Sequence, residues 1–194
     1  MFEFNTTGLT RRRAVRRFAG FCAGVSALAV TAAAFAAPPQ VGEKAPNFTL
    51  NDLQGSKITL ASQLKKGSVV LVMLRGYPGY QCPLCTAQVA SFMSKAKEFG
   101  ETPVLLVYPG AADGLKQRAD EFVNGKTIPA NFHFLLDPDF KFTKQYDLRW
   151  DAPHETSYPS TFVVDSKDII RFAKISHRHG DRAQVDDVLK ALGK

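Results

Sequence analysis

The sequence predicts an α/β fold with a mixed central sheet flanked by helices, and three observations lead to this class. Residues 69–74 form an unbroken apolar run that starts with two valines, as in a strand covered on both faces. A segment of helical spacing separates this run from a second apolar run at 103–108. A hairpin pattern near the end precedes a last helical segment. Strands and helices in this alternation are typical of a mixed sheet with helices packed on it.

Turn residues define the elements before the first buried strand. Two short strands at 47–50 and 57–59 flank the turn Asp52-Leu53-Gln54-Gly55. A short helix at 61–66 ends at Gly67, because glycine commonly follows the last helical residue.

Periodicity defines the elements after the second buried strand. Leu115, Ala119 and Phe122 fall on one face of a predicted helix at 113–123. The remaining predicted elements are a strand at 132–136, a turn rather than a carboxylate dyad at 137–139, a helix at 140–146, a hairpin of strands 161–164 and 169–175 around a turn at 165–168, and a closing helix at 184–192.

Residues 1–36 have the pattern of an export signal. Five arginines precede an apolar, alanine-rich stretch that ends in the small-x-small site Ala34-Phe35-Ala36. We therefore expect cleavage after Ala36, a periplasmic or secreted protein without stable membrane association, and a single domain at 37–194. The paired arginines resemble a twin-arginine signal. General secretory export and an uncleaved membrane anchor are the alternatives.

The charge pattern gives no sign of a nucleic-acid partner. The net charge is +7, but five of the 25 basic residues and one of the 18 acidic residues lie within 1–36. Residues 37–194 are therefore close to neutral, as in an ordinary solvated surface. No glycine-rich phosphate loop follows a predicted strand, so we expect no nucleotide cofactor.

Two cysteines with the spacing C-x-x-C lie between the first buried strand and the helix that follows it. Pro83 suits the first helical position, which places Cys82 at the N-cap and Cys85 in the first turn. The N-terminus of a helix favours an anion, and the thiolate is the reactive form of cysteine. We expect Cys82 to be the more exposed of the two and burial to raise the pKa of Cys85, so Cys82 is the predicted nucleophile.

Redox exchange explains this pair better than a metal site or inert packing does. Removal of Cys22 with the signal leaves two cysteines, and a ring of four residues restrains the unfolded chain too little to serve stability. A structural zinc site usually needs four ligands. The histidines that could join the pair lie at neither finger nor ribbon spacing, so we predict no metal; they are His133, His154, His177 and His179.

Three motifs resemble the thioredoxin fold in its peroxiredoxin-like branch, of the alkyl hydroperoxide reductase and thiol-specific antioxidant type. They are GEKAPNFTLNDLQG near the start of the domain, LRGYPGYQCPLCTAQV at the cysteines and YPSTFVVDSKDIIRF near the end. The resemblance implies a thioredoxin-like three-layer fold and thiol-dependent reduction of hydroperoxides without a cofactor. It also implies a thiol reductant such as a thioredoxin-like protein. Pro159 occupies the place where thioredoxin-like folds carry a cis-proline beside the active site.

The sequence departs from the family pattern at the cysteines. Thioredoxins usually have tryptophan before the first cysteine, and here Gln81 stands there. The peroxiredoxin motif Pro-x-x-x-Thr/Ser-x-x-Cys aligns with Pro78, Cys82 and Cys85. Cys82 then occupies the threonine position, and Cys85 takes the position of the peroxide-attacking cysteine. The motif therefore favours Cys85 as the nucleophile, against the electrostatic argument for Cys82.

Several other residues are candidates for the site. Peroxiredoxins carry an arginine near the late strand, and 157–160 has none, so Arg75 and Arg149 are the substitutes. Six further residues have a possible role in the site: His154 and Glu155 as a proton relay or metal ligands, His177 and His179 as a metal-binding pair, and Trp150 and Tyr158 as the lining of a substrate groove. For all six, an ordinary surface or core position is the simpler interpretation.

Three functions are compatible with these observations. The first is an exported antioxidant enzyme that reduces hydroperoxides. The second is a thiol–disulfide reductase that acts on exported proteins, as in cytochrome maturation. The third is a copper chaperone that uses both sulfurs and His154, since thiolates favour Cu(I). Copper chaperones of this fold usually have three residues between the cysteines rather than two, which counts against the third function.

Overall fold

The structure is a computed structural model that describes Met1 and residues 37–194. The predicted export signal and its cleavage site lie in the segment outside the described residues, so they stay predictions. Within the part of the chain that the structure describes, no helix is long and apolar enough to cross a membrane.

Seven strands form one mixed sheet. The strands are β1 (Thr49–Asp52), β2 (Lys57–Thr59), β3 (Val69–Met73), β4 (Val104–Gly110), β5 (Phe132–Pro138), β6 (Ser160–Val164) and β7 (Ile170–Ile175). Their order across the sheet is β2-β1-β5-β4-β3-β6-β7. The three central strands β5, β4 and β3 are parallel, and the outer pairs are antiparallel. The predicted mixed sheet is confirmed.

Helices cover both faces of this sheet and complete three layers. The helices are α1 (Leu60–Leu64), α2 (Pro83–Ser94), α3 (Ala96–Phe99), α4 (Leu115–Val123), α5 (Lys141–Gln145) and α6 (Val185–Ala191). Residues of α2, α4 and α6 pack in one core, and residues of α1 and α5 pack in the other. The predicted three-layer arrangement is confirmed.

The central strand β3 feeds both cores because successive side chains of a strand point to opposite faces. Val70 and Val72 belong to the core beneath α2, whereas Val69, Leu71 and Met73 belong to the opposite core. All five residues are at most 1% exposed. The unbroken apolar run in the sequence therefore reflects a strand buried on both faces.

The helical spacing of Val89, Phe92, Met93, Ala96 and Phe99 predicts a helix that continues to Phe99, but the helix after the cysteines is broken. Lys95 leaves the helical conformation (φ −105°, ψ 21°) and separates α2 from α3. The break lets Phe99 stack on Phe92 at 5.8 Å and meet Phe132 edge-on at 5.9 Å. Packing of these rings decides the path of the chain here.

Asp137 is part of β5 and not of the turn predicted at 137–139. Its carboxylate is fully buried and accepts hydrogen bonds from the backbone N–H groups of Phe142 and Thr143 and from the Thr143 hydroxyl. These bonds satisfy the free N–H groups at the start of α5. Asp137 thus has a structural role, as the rejection of a carboxylate dyad implies.

Candidate functional site

The chain turns sharply after β3, and one glycine makes this turn possible. Gly76 has a φ of +72°, and a Cβ at this position would lie 2.1 Å from the carbonyl oxygen of Pro109 in β4. Only glycine tolerates both the conformation and the close approach. The loop that leads to the cysteines is therefore fixed against the neighbouring strand.

The cysteines occupy the positions that Pro83 predicts. Cys82 is the N-cap of α2 with an extended backbone (φ −72°, ψ 113°), and Pro83 is the first helical residue. Cys85 lies in the first turn, and both thiols are free. The first turn carries no acidic residue, so no carboxylate of that turn competes with a thiolate for the positive end of the helix.

Both cysteines are buried, so Cys82 is only marginally the more exposed of the two. Cys82 is 2% exposed and Cys85 is 1% exposed. Both belong to the core beneath α2, and the loop that follows β7 adds to their burial because it brings Arg182 against the sulfurs. The Nη2 atom of Arg182 lies 3.8 Å from Cys82 Sγ and 3.5 Å from Cys85 Sγ.

Arg182 is held in place by two further hydrogen bonds. Its Nη1 donates to Gln88 Oε1 at 2.8 Å, and its Nε donates to the carbonyl oxygen of His179 at 2.9 Å. Gln88 lies one turn after Cys85 and is itself buried, with its amide 3.4 Å from the Thr161 hydroxyl. A planar guanidinium held by two such hydrogen bonds keeps one orientation. The Nη2 atom of Arg182 therefore stays directed at the two sulfurs.

The two thiols differ strongly in acidity. The pKa of Cys82 is lowered to about 5, mainly because the Cys85 thiol donates a hydrogen bond to its sulfur. The Cys85 backbone N–H and the charge of Arg182 also lower this pKa, whereas burial raises it. The same hydrogen bond and burial raise the pKa of Cys85, and Arg182 offsets this only in part. At neutral pH the pair holds a thiolate on Cys82 and a proton on Cys85.

Arg75, one of the predicted site-supporting residues, lies beneath the cysteines. Its backbone N–H donates to Cys85 Sγ at 3.3 Å. Its guanidinium donates to Glu155 Oε2 at 2.8 Å, to the Tyr80 hydroxyl at 2.6 Å and to the carbonyl oxygen of His154 at 2.8 Å. The side chain also contributes slightly to the low pKa of Cys82. Arg75 therefore joins the site mainly by fixing the loops around it.

Arg149, the second candidate arginine, has a different role. Its guanidinium donates to the carbonyl oxygens of Trp150, Glu155 and Thr156 and lies over the ring of Phe140 at 4.4 Å. Neither sulfur is among its partners in the described chain. Arg149 closes the 150–156 loop, and the suggestion that it replaces the family arginine is wrong.

Glu155 and His179 meet near the site, although the sequence places them on separate loops. His179 Nε2 lies 2.9 Å from Glu155 Oε1, and the Glu155 side chain is 11% exposed. His154 is exposed and contributes its carbonyl oxygen to Arg75. Over residues 37–194, no group of three His, Cys, Asp or Glu residues is arranged to hold a metal ion. Because Glu155 is largely buried and pairs with Arg75, the interpretation of this position as an exposed surface loop is wrong for Glu155.

Aromatic side chains extend from His179 across the neighbouring loops. Trp150 stacks on Tyr158 at 4.9 Å and approaches His179 at 5.0 Å. Tyr158 meets His177 edge-on at 4.9 Å. Trp150 and Tyr158 are half-buried, so they are packed residues with one side accessible.

The prolines named by the sequence take different places. Pro78 lies half-buried in the loop four residues before Cys82. The bond between Tyr158 and Pro159 is trans, and the described residues contain no cis peptide bond, so the cis-proline expectation is wrong. Tyr158 N–H donates to the Leu148 carbonyl, and the Pro159 carbonyl accepts from Ser176 N–H. These bonds fix an extended entry into β6, which the intrinsically favoured trans isomer provides.

A buried tyrosine fixes the residue that precedes the first cysteine. The Tyr108 hydroxyl donates to Gln81 Oε1 at 2.9 Å, and the Gln81 amide donates to the Arg118 carbonyl at 2.8 Å. Burial raises the pKa of Tyr108, so its hydroxyl stays a donor. Gln81 thus connects the loop before Cys82 to β4 and α4.

Arg182 is the site residue that sequence reasoning missed, and strand order is the signal that could have found it. Met73 at the end of β3 pairs with Ser160, and Ser160 pairs with Ile175 at the end of β7. Residues that follow β7 therefore emerge at the same sheet edge as the loop after β3. A basic residue in that segment is a candidate for contact with the cysteines.

Sequence comparisons identify the family of this chain. The AhpC/TSA family model matches residues 41–173. Peroxiredoxin 2 from Thermoplasma acidophilum is 28% identical over 159 residues, which cover 78% of this chain and 74% of that protein. The putative peroxiredoxin bcp from Helicobacter pylori is 26% identical over 136 residues, which cover 68% and 84%. The match to the chloroplastic peroxiredoxin Q of Triticum aestivum spans 57% of that protein.

Solved structures of peroxiredoxins share the fold. The peroxidoxin BcpB from Mycobacterium tuberculosis superposes with a TM-score of 0.63 at 22% identity, over 79% of this chain and 96% of that one. A yeast mitochondrial 1-Cys peroxiredoxin superposes with a TM-score of 0.59 at 21% identity, over 80% and 75%. The chain therefore belongs to the AhpC/TSA family of thiol-dependent oxidoreductases and has the thioredoxin-like fold of the peroxiredoxins.

Proposed function

We propose that this protein is a thiol-dependent hydroperoxide reductase that cycles Cys82 and Cys85 between dithiol and disulfide. One observation carries the proposal: an acidic Cys82 lies beside a protonated Cys85, and the guanidinium of Arg182 reaches both sulfurs. The pair supplies a nucleophile and a second thiol at once. Membership of the AhpC/TSA family supports the same reaction.

The reaction starts on Cys82. Its thiolate attacks the outer oxygen of the hydroperoxide, so that an S–O bond forms and the O–O bond breaks. The alkoxide takes up a proton and leaves as an alcohol, or as water when the substrate is hydrogen peroxide. Cys82 is then a sulfenic acid. The Cys85 sulfur attacks the Cys82 sulfur, the S–O bond breaks, and water leaves with the Cys85 proton.

Arg182 suits both steps. Before the reaction, its charge favours the thiolate on Cys82. During the attack, negative charge moves to the leaving oxygen, and a fixed cation at the sulfurs stabilises it. The hydrogen bonds to Gln88 and His179 hold the guanidinium in advance, so little reorganisation is needed at the moment of reaction.

Burial of the sulfurs favours a small substrate over a protein disulfide. Because Cys82 is 2% exposed, a peroxide of two oxygen atoms needs only a small displacement of the loops to reach its sulfur. A disulfide on a protein surface requires its own backbone to come within bonding distance of the sulfur. The runner-up function, reduction of protein disulfides, therefore needs a larger movement of the site.

The product disulfide needs a thiol reductant to complete the cycle, and we propose a thioredoxin-like protein for this role. Two large apolar side chains, Tyr80 and Leu84, are 48% and 42% exposed on either side of Cys82 and Pro83. Exposed apolar residues beside a redox centre are suited to contact with a partner protein. The yeast relative acts in a resolving mechanism that uses glutathione and thioredoxin systems.

We also propose that residues 37–194 act in the periplasm or outside the cell. The proposal is based on the basic, alanine-rich pattern of residues 1–36 and its small-x-small site. N-terminal sequencing of the protein from its native cells tests it: Ala37 at the terminus is expected. Recovery of Met1 or Phe2 on membrane-bound material would contradict export with cleavage.

Two rates measured side by side test the proposed reaction. The reduced protein is given hydrogen peroxide or a disulfide-bonded protein such as insulin, with thiol loss followed in both cases. We expect peroxide to oxidise the pair much faster than insulin does, and the double variant Cys82→Ser, Cys85→Ser to do neither. Fast insulin reduction without peroxide consumption would instead favour the disulfide reductase.

A further inference from the structure

Glu155 connects the two arginines of the site. Its Oε2 atom accepts a hydrogen bond from Arg75 Nε at 2.8 Å, and its Oε1 atom lies 2.9 Å from His179 Nε2. The side chains of Glu155 and Arg75 are 11% and 3% exposed. Ion pairs removed from water in this way are screened much less than surface pairs, so this carboxylate is a fixed anchor.

Two short paths lead from Glu155 to the sulfurs. The first passes through Arg75, whose backbone N–H donates to Cys85 Sγ at 3.3 Å. The second passes through His179, whose carbonyl oxygen accepts from Arg182 Nε, and Arg182 Nη2 then reaches Cys82 and Cys85. The two paths run through different segments, the loop after β3 and the 176–182 loop, and Glu155 is the side chain that joins them.

We propose that Glu155 is a positioning residue that holds Arg182 and Arg75 against the two cysteines. It has no contact with either sulfur, so it acts through the arginines. The proposal rests on the proposed function, since it concerns the same site. Glu155 thereby affects the placement of the arginines and not the identity of the substrate.

The direction in which the pKa of Cys82 shifts when Glu155 is replaced distinguishes a positioning role from a simple charge effect. A negative charge near a thiol disfavours the thiolate, so removal of Glu155 as a mere charge would lower the pKa of Cys82. Removal of an anchor that places Arg182 would have the opposite effect, because the thiolate would lose its cation. The two roles therefore predict shifts of opposite direction.

The test measures the alkylation rate of Cys82 in the reduced full chain as a function of pH, with the modified sulfur located by mass spectrometry. In Glu155→Ala we expect the midpoint of the profile to rise by about one pH unit. In Glu155→Gln, whose amide oxygen can still accept from Arg75, we expect a smaller rise. Asp181→Asn is the matched control, because Asp181 precedes Arg182 in the sequence but pairs with Lys174. The midpoint of the alkylation profile of this variant should equal that of the wild type.

An unchanged or lowered midpoint in Glu155→Ala would overturn the proposal. Circular dichroism verifies folding, and if the alanine variant does not fold, the glutamine variant decides by the same criterion. Alkylation requires no peroxide. A protein that fails to consume peroxide would therefore refute the proposed function and still allow the role of Glu155 to be tested.

Discussion

Arg182 reaches Cys85 across 97 positions of the sequence, with 3.5 Å between Nη2 and Sγ. The contact is possible because β7 ends at the sheet edge where β3 delivers the C-x-x-C loop. The charge of Arg182 favours the thiolate, in addition to the hydrogen bond from Cys85, and its side chain lies against both sulfurs. Substrate access and thiolate stability therefore depend on the same side chain.

Replacement of Arg182 by lysine should reduce peroxidase efficiency although the charge is kept. Lysine lacks the planar fork that binds Gln88, His179 and the sulfurs together. We expect kcat/KM for hydrogen peroxide to fall about 100-fold, in the range seen when a fixed donor to a developing oxyanion is lost. Arg178→Lys on the same exposed loop should leave the rate unchanged. Equal rates for the two variants would mean that Arg182 does not act in the reaction.

The two single cysteine variants should fail in different ways. Cys82→Ser removes the acidic thiol and should lose essentially all peroxide reactivity. Cys85→Ser keeps a nucleophile without a resolving thiol, so it should react once and stop as a sulfenic acid. A sulfenate-specific reagent added after one equivalent of peroxide measures this. Label on Cys85 in the Cys82→Ser protein, with none on Cys82 in the Cys85→Ser protein, would reverse the assignment and support the motif alignment.

Local features of the sequence were enough to predict the fold and the helix position of the cysteines. The apolar run of β3 and the proline at the start of α2 act over a few residues, so pattern alone locates them. The contact between Arg182 and Cys82 could not be found in this way, because the two residues are 100 positions apart in the sequence. The cis bond expected at Pro159 failed for a related reason, since Tyr158 and Pro159 are bonded to Leu148 and Ser176, which local sequence does not place beside them.

The reduced protein should become more stable as the pH rises from about 5 to about 8. The folded pKa of Cys82 is about 5, below the value of about 8.5 expected in the unfolded chain. In this window the unfolded state holds the proton that the folded state has lost, so the free energy of unfolding rises with pH. Cys85, with its raised pKa, is protonated in both states and contributes nothing there.

Urea unfolding under reducing conditions at several pH values measures this dependence. Relative to Cys82→Ser, the wild type should gain up to about 1.4 kcal/mol per pH unit across the window. Peroxide reactivity should stay nearly constant from pH 8 to about pH 6 and fall by about half near pH 5, because the folded protein loses the Cys82 thiolate only there. Parallel stability profiles for the two proteins would show that Cys82 is not acidic in the folded state.

Gly76→Ala should damage the site through the backbone. The added Cβ would lie 2.1 Å from the Pro109 carbonyl oxygen, so the loop or β4 must move. We expect a loss of about 2–5 kcal/mol in the free energy of unfolding from the positive φ and the overpacking together. Gly125→Ala is the matched control, because Gly125 has the same φ of +72° and nothing within 4 Å of the added atom. It should lose only the conformational part, about 1–2 kcal/mol. Equal losses in the two variants would mean that the loop does not pack this closely against β4.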